Sequence, residues 1–266
     1  MPKTKNNHYI PQFYSSKWKL NDTQVYCLQK ENSNIFKPNP RNIFADRIWD
    51  NEVENMFAQI ENNVWFPTIN KILKDKTMDK LSETEFGNFY SFIVALKVRK
   101  KHIVAEAYET AESDLAKFDD ELIRHGKATK EEIEELQKYN KPLSNYSFLS
   151  VFNPGGAIFG QFKRFTFGNK IIEEKDMQYG QFLTSNHPLL MLGEKGKVDL
   201  IMIALTPKLL IFGARGPEIF KTVHNKPINI IIKEFNKEIY NDTESEYIIS
   251  NEYIISNKRF LLKQFL

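Results

Sequence analysis

The chain has one cysteine in 266 residues, Cys27, so an intramolecular disulfide is excluded, which fits a reducing compartment. Cys27 lies in the apolar run Val25-Tyr26-Cys27-Leu28 and reads as a packed thiol with no catalytic role. Long apolar runs are missing too. Nothing approaches the roughly 20 residues a membrane helix needs, and no apolar segment follows the basic N-terminus, so a cytoplasmic location and no membrane partner are expected. An excess of one charge is also lacking: 37 basic and 34 acidic residues leave +3, too little to indicate a nucleic-acid binder by net charge alone. Gly155-Gly156 does not build a phosphate loop, because neither GxGxxG nor GxxxxGK[ST] surrounds it. Aromatics, by contrast, are plentiful: 21 Phe and 11 Tyr point to an aromatic-rich core and, with 41% hydrophobic residues, argue against disorder.

The densest stretch is Asn7-His8-Tyr9-Ile10-Pro11-Gln12-Phe13-Tyr14. Pro11 fixes its own φ and biases Ile10 toward extended geometry, so the stretch is expected to be an extended segment rather than a helix start. Its apolar side chains would dock it on a core and hold His8 in place. A hairpin is expected from Gln24 to Gln29 and Ile35 to Lys37, around a polar turn at Glu31 to Asn34. With Asp50 or Asn51 as its cap, a helix is predicted from Glu52 to Lys74, on the spacing of Val53, Met56, Phe57, Ile60 and Val64, with a kink near Trp65 imposed by Pro67. Ser82 and Glu85 match a capping box, opening a second helix predicted to run as far as Phe118 with Arg99 in its middle. Lys130 to Leu136 reads as a short surface helix in a charged insertion that could be mobile or face a partner.

From residue 150 to 215, β-favouring runs predict an antiparallel sheet. Ile228 to Ser250 is read as largely helical and Arg259 to Leu266 as a closing strand or tail. The fold class expected is α+β: a single domain with an N-terminal motif and hairpin (1–50), a helical region (51–140), a sheet (150–215) and a C-terminal helix (228–250).

Four groups of residues could carry chemistry. His8 can transfer protons near neutral pH, though a histidine among aromatics can equally be structural. Glu54 and Glu61 are two helical turns apart, so both carboxylates point the same way, to present oxygen ligands or a base, or merely to pair with cations. Arg99 sits behind an apolar surface and must find a carboxylate or a phosphate, either as a structural ion pair or as a clamp on an anionic substrate. Leu183-Thr184-Ser185-Asn186-His187-Pro188 reads as a strand end entering a polar turn, where sites are often carried.

His8-Tyr9-x-Pro11-x-Phe13, the two spaced glutamates, Arg99 and the Thr184-Ser185-x-x-Pro188 turn together resemble the largely bacterial family catalogued as domain of unknown function 4238. Members of that family usually carry Ser-Asp-x-Pro in the turn, so the aspartate position falls on Asn186. The resemblance implies site positions: His8, Glu54, Glu61 and Arg99 as catalytic candidates, with Tyr9, Lys100, Ser185, Asn186 and His187 as substrate contacts.

Three functions follow as expectations. The first is a hydrolase acting on nucleic acid or another anionic phosphodiester, in phage defence or as a toxin. Here His8 moves the proton, Arg99 stabilises negative charge, and the glutamates hold a divalent ion such as Mg²⁺ or Mn²⁺ or orient the histidine; a metal-independent route is equally open. The second is a non-catalytic protein-binding or regulatory module in which His8, Glu54 and Arg99 satisfy one another and the charged 119–138 segment meets a protein partner. The third is a nucleic-acid binder using Lys97, Arg99, Lys100 and Lys101, with Lys163 and Arg164 among aromatics.

Overall fold

Tyr14 is the joint of the molecule. Its buried hydroxyl donates to the carbonyl of Ala204 at 2.8 Å and lies 2.9 Å from Thr184 Oγ1, tying the N-terminal segment to two different sheets. Burial pushes this phenol far up, so it stays neutral and can donate. The computed structural model describes residues 7–46, 49, 51–139, 160, 162–194 and 197–250.

Strand β1 (Asn7–His8) pairs with β4 (Ala45–Asp46) in a minimal antiparallel ladder. The chain stays extended through Pro11 (φ −54°, ψ 132°) and then turns into α1 (Gln12–Ser15), followed by a 3₁₀ turn at Ser16–Trp18. The expectation of an extended segment therefore fails after Pro11. Proline lacks the N–H that a helix start leaves unpaired anyway, so it opens a helix as readily as it ends one. The hairpin forms as β2 (Tyr26–Gln29) and β3 (Asn34–Phe36), with Ser33 in the left-handed region at φ 55° and Asn32 Oδ1 accepting from Asn34 N–H at 2.9 Å. A short α2 (Pro40–Ile43) follows.

The first long helix is three pieces: α3 (Asn51–Ile60), a π-helical turn at Glu61–Trp65, and α4 (Phe66–Asp75). The expected irregularity near Trp65 is this wider turn, and Pro67, which cannot donate to the ladder of the continuous helix, sits just beyond it. Helix α5 (Glu83–Val98) opens on the reciprocal Ser82–Glu85 box. Phe89 and the unbroken run from Phe92 to Leu96 are buried, so the C-terminal half of α5 is enclosed on all sides.

The second helix does not run on to Phe118 as predicted. It breaks at Arg99 (ψ 25°) and Lys100 (ψ 140°), and α6 (Lys101–Arg124) restarts beyond. Neither Pro nor Gly marks the break, which is held by the bonds of those two side chains described below. Helix α7 (Lys130–Leu136) forms as expected, capped by Thr129 and Glu132.

The strands β5 (Thr166–Ile171), β7 (Leu190–Leu192), β8 (Leu200–Thr206) and β9 (Leu209–Ala214) make an antiparallel sheet in the order β5-β9-β8-β7. Residues 150–215 do not supply one sheet alone. Strand β6 (Thr184–Ser185) leaves for another sheet, ordered β3-β2-β10-β6, whose β10 is Tyr247–Ser250. The expected helix over 228–250 is corrected accordingly. After α8 (Pro217–Asn225), α9 covers only Ile228–Asn241, and the chain then returns as β10, where Tyr247, Ile248 and Ile249 satisfy a strand as well as a helix. Arg259–Leu266 lies outside the described residues, as does Asn153 to Gly156.

Helix α5 packs on β5 through Phe89 and Phe167, edge to face at 5.7 Å. On the other flank, Phe182 and Phe235 join α9 to the approach to β6. Asn236 of α9 accepts from Leu183 N–H and donates to Gln181 C=O, both at 2.8 Å, so an amide buried in an apolar stripe sets the position of β6. The result is α+β: long helices in the N-terminal half, antiparallel sheets mostly in the C-terminal half.

Candidate functional site

The β1–β4 ladder sets His8 opposite Ala45, while Tyr9 donates its hydroxyl to Ile43 C=O at 3.0 Å and takes its backbone N–H to Phe44 C=O. Asn7 Oδ1 accepts from Trp49 N–H at 3.2 Å, which brings the Trp49 indole over the start of α3. There the indole N–H donates to Glu54 Oε2 at 2.7 Å. The other oxygen, Glu54 Oε1, lies 3.7 Å from His8 Nδ1, and Gln12 Nε2 comes within 3.0 Å of His8 Nε2. His8 and Glu54 are partly open to solvent, their side chains being 19% and 13% exposed.

Glu61, seven residues after Glu54, opens the π turn and accepts from Arg99 Nη1 at 2.6 Å. Arg99 Nη2 donates to the backbone carbonyl of His8. The Arg99 side chain is 1% exposed, and its guanidinium lies over Phe57 (4.2 Å), Trp49 (5.2 Å) and Trp65 (6.0 Å). A guanidinium is planar and weakly hydrated, so an aromatic cage with one carboxylate can hold it where an ammonium would be much costlier. Burial pushes the Glu54 carboxyl up, but the His8 imidazole, the Trp49 N–H and the Arg99 charge outweigh it, holding the carboxyl below its usual range. Glu54 is thus an ionised carboxylate facing an imidazole, an arrangement that can orient a proton-transfer histidine.

Lys100 belongs to a second cluster. Its ammonium pairs with Glu244, and Glu244 Oε2 and Asp242 Oδ2 lie 3.3 and 3.6 Å from His187 Nδ1. Ser245 Oγ donates to Asp242 Oδ2 and lies 2.9 Å from Ser185 Oγ, which in turn accepts from His187 N–H at 3.0 Å. Burial raises the Asp242 carboxyl; the neighbouring His187 and the Ser245 hydroxyl, with the Glu244 N–H, more than reverse this and bring it to about 2. Asn186 Oδ1 accepts from Glu246 and Tyr247 N–H, both at 2.9 Å, clamping the turn to the start of β10. An amide oxygen does this without a charge, so asparagine suffices at this turn.

The structure thus brings His8, Glu54, Glu61 and Arg99 together, with Tyr9 fastening the segment that carries His8. It gathers Lys100, Ser185, Asn186 and His187 in the neighbouring cluster, joined to the first through the adjacent residues Arg99 and Lys100. Sequence reasoning missed Trp49, Gln12, Asp242 and Glu244. The polar run Asn241 to Glu246, following an apolar helical stripe, was the available signal for the last two. Among the described residues, no group of three or more His, Cys, Asp or Glu side chains is placed so that it could hold a metal ion. No described helix is long and apolar enough to cross a membrane.

A segment fastened by its own tyrosine, and a histidine whose carbonyl is held by a caged arginine, make up a docked N-terminal signature. Comparison with known families agrees: the model for the family described as a protein of unknown function (DUF4238) matches residues 6–254, and the chain belongs to that family. No curated protein and no solved structure matches the chain.

Proposed function

We propose that the protein is a hydrolase of nucleic acid or a similar anionic phosphodiester, with His8 as the proton-transfer group and Glu54 as the carboxylate that orients it. The observation that supports this is the His8–Glu54 pair itself: an ionised carboxylate on α3, 3.7 Å from an imidazole nitrogen of the opening motif, with both side chains partly exposed. Proton transfer by a positioned histidine contributes roughly 10²- to 10⁴-fold to such reactions. Arg99, sealed in its cage, acts here as a positioning residue through Glu61 and the His8 carbonyl rather than as a clamp on substrate. Phage defence or toxicity is the cellular setting that suits this activity, since nucleic acid is a target for both.

A second reading, a protein-binding or regulatory module, draws support from the same caging: Arg99 spends its Nη groups on Glu61 and the His8 carbonyl, within the fold. Its working surface would be the charged α6–α7 region, where Phe118, Leu136 and Tyr139 stand exposed.

Incubation of the wild type with labelled RNA, single-stranded DNA and duplex DNA, with and without Mg²⁺ or Mn²⁺, separates the two. The hydrolase reading expects cleavage that falls at least 100-fold in His8→Ala and in Glu54→Gln while both variants stay folded. Absence of cleavage of every substrate, together with loss of a few kcal/mol of stability in His8→Ala, would sink it in favour of the module.

A further inference from the structure

We infer that a second, separate site, a cavity of about 270 Å³ beside the β5-β9-β8-β7 sheet, binds a small phosphomonoester of nucleoside monophosphate size. Arg164, Lys197 and Arg215 line it together with Phe162, Phe165, Met191 and Val198. The Lys163-Arg164 pair among aromatics, noted in the sequence, is absorbed by neither histidine cluster.

Three cations share this cavity, and among the described residues none of them has an ion pair with a carboxylate. Their +3 equals the excess over the entire chain, so elsewhere the charges cancel. Such a concentration is unfavourable by itself, because like charges repel, and an anion would reverse the effect. Arg215 makes the point most directly: its Nε is buried without a hydrogen-bond partner among the described residues, while its guanidinium lies 5.5 Å from the Phe165 ring centroid. A guanidinium presents the planar fork that phosphate accepts, so Arg215 on the cavity wall offers an anion its N–H donors.

The walls are built rather than incidental. Arg215 N–H donates to Asp199 C=O at 2.8 Å, and Asp199 N–H returns to Leu192 C=O at 2.9 Å, locking the end of β9 to the β7–β8 turn that carries Lys197. That turn is tight at Gly193, where an added Cβ would lie 1.9 Å from the Lys197 carbonyl oxygen. Met191 and Val198, both half-buried, supply an apolar side that inorganic phosphate alone would leave unused. The volume lies at the lower end of ligand cavities, which suits a mononucleotide and not a dinucleotide cofactor.

Calorimetric titration of the full chain with AMP, inorganic phosphate and adenosine tests the assignment. AMP should bind saturably and more weakly as salt rises, with adenosine and phosphate each at least tenfold weaker. Arg215→Met and Lys197→Gln should each weaken AMP at least tenfold, and His8→Ala should bind it as the wild type does. Lys197 is exposed, so Lys197→Gln keeps the test sound if Arg215→Met fails to fold. No saturable heat at millimolar AMP, wild-type affinity in folded Lys197→Gln, or phosphate binding as tightly as AMP would overturn the proposal. Loss of AMP binding in folded His8→Ala would do the same, since the ligand would then belong to the histidine site.

Discussion

His8 and His187 face carboxylates at nearly equal distances, 3.7 Å to Glu54 and 3.6 Å to Asp242, yet the two settings differ in what neutralises the charge. At His8 the cation is Arg99, stripped of water and stacked among aromatic rings. At His187 it is Lys100, partly in solvent and paired with Glu244, while hydroxyls of Ser185 and Ser245 complete the polar chain. Arg99 and Lys100 are consecutive residues at the break between α5 and α6, so one irregular turn serves both clusters. The contrast shows how context apportions work between two basic residues: the delocalised guanidinium goes where water is excluded, the ammonium where it is kept.

The largest expected effect comes from breaking the buried half. Arg99→Met should cost about 3–5 kcal/mol, because Glu61 and the His8 carbonyl lose their partner inside the fold. Denaturant unfolding would read this directly, and a loss below 1 kcal/mol would show that the cage is not what holds the N-terminal segment. Asn186→Ala should cost roughly 1–3 kcal/mol by leaving the Glu246 and Tyr247 N–H groups without their acceptor. Asn186→Asp, which keeps the oxygen, should recover most of that in the same measurement.

Acid sharpens the comparison further. The Asp242 carboxyl is held at about 2, below its ordinary 3.8, so the stability it contributes is fully present above pH ~4 and is lost as pH falls through about 2. Discounted for solvent screening, that amounts to about 1–2 kcal/mol. Asp242→Asn should remove this acid-sensitive component and flatten the stability curve over that window; an unchanged curve would refute the assignment. Smallest is Lys100→Gln, expected to cost less than about 1 kcal/mol and to cost less still at 1 M salt, since the pair with Glu244 is partly exposed. A salt-independent loss would mean that Lys100 is as enclosed as Arg99.

What could be read in advance was local. Ser82 and Glu85 announce their helix because the capping bonds span three residues, and the apolar spacing of α3 shows its buried face. The catalytic candidates were legible for a similar reason: seven residues bring Glu54 and Glu61 round to one side, and Arg99 needed a carboxylate. The break after Val98 was not legible, since Arg99 and Lys100 are good helix formers, and their bonds go to residues 8, 61 and 244, distant in sequence. Asp242 and Glu244 were hidden by the same kind of cause. Tyr247 to Ser250 fits a helix by spacing, and its fate as a strand is decided by β2 and β6, distant in sequence.

That last strand also sets a timetable. The β2–β3 hairpin leaves the ribosome well before its inner neighbour β10, and Leu28 finds Ile248 only after about 220 further residues have been made. Until then one edge of the hairpin offers its backbone to any strand that passes. A nascent chain therefore carries this sheet half assembled while those residues are made, and the aromatic joint at Tyr14 closes only when Thr184 and Ala204 have also emerged.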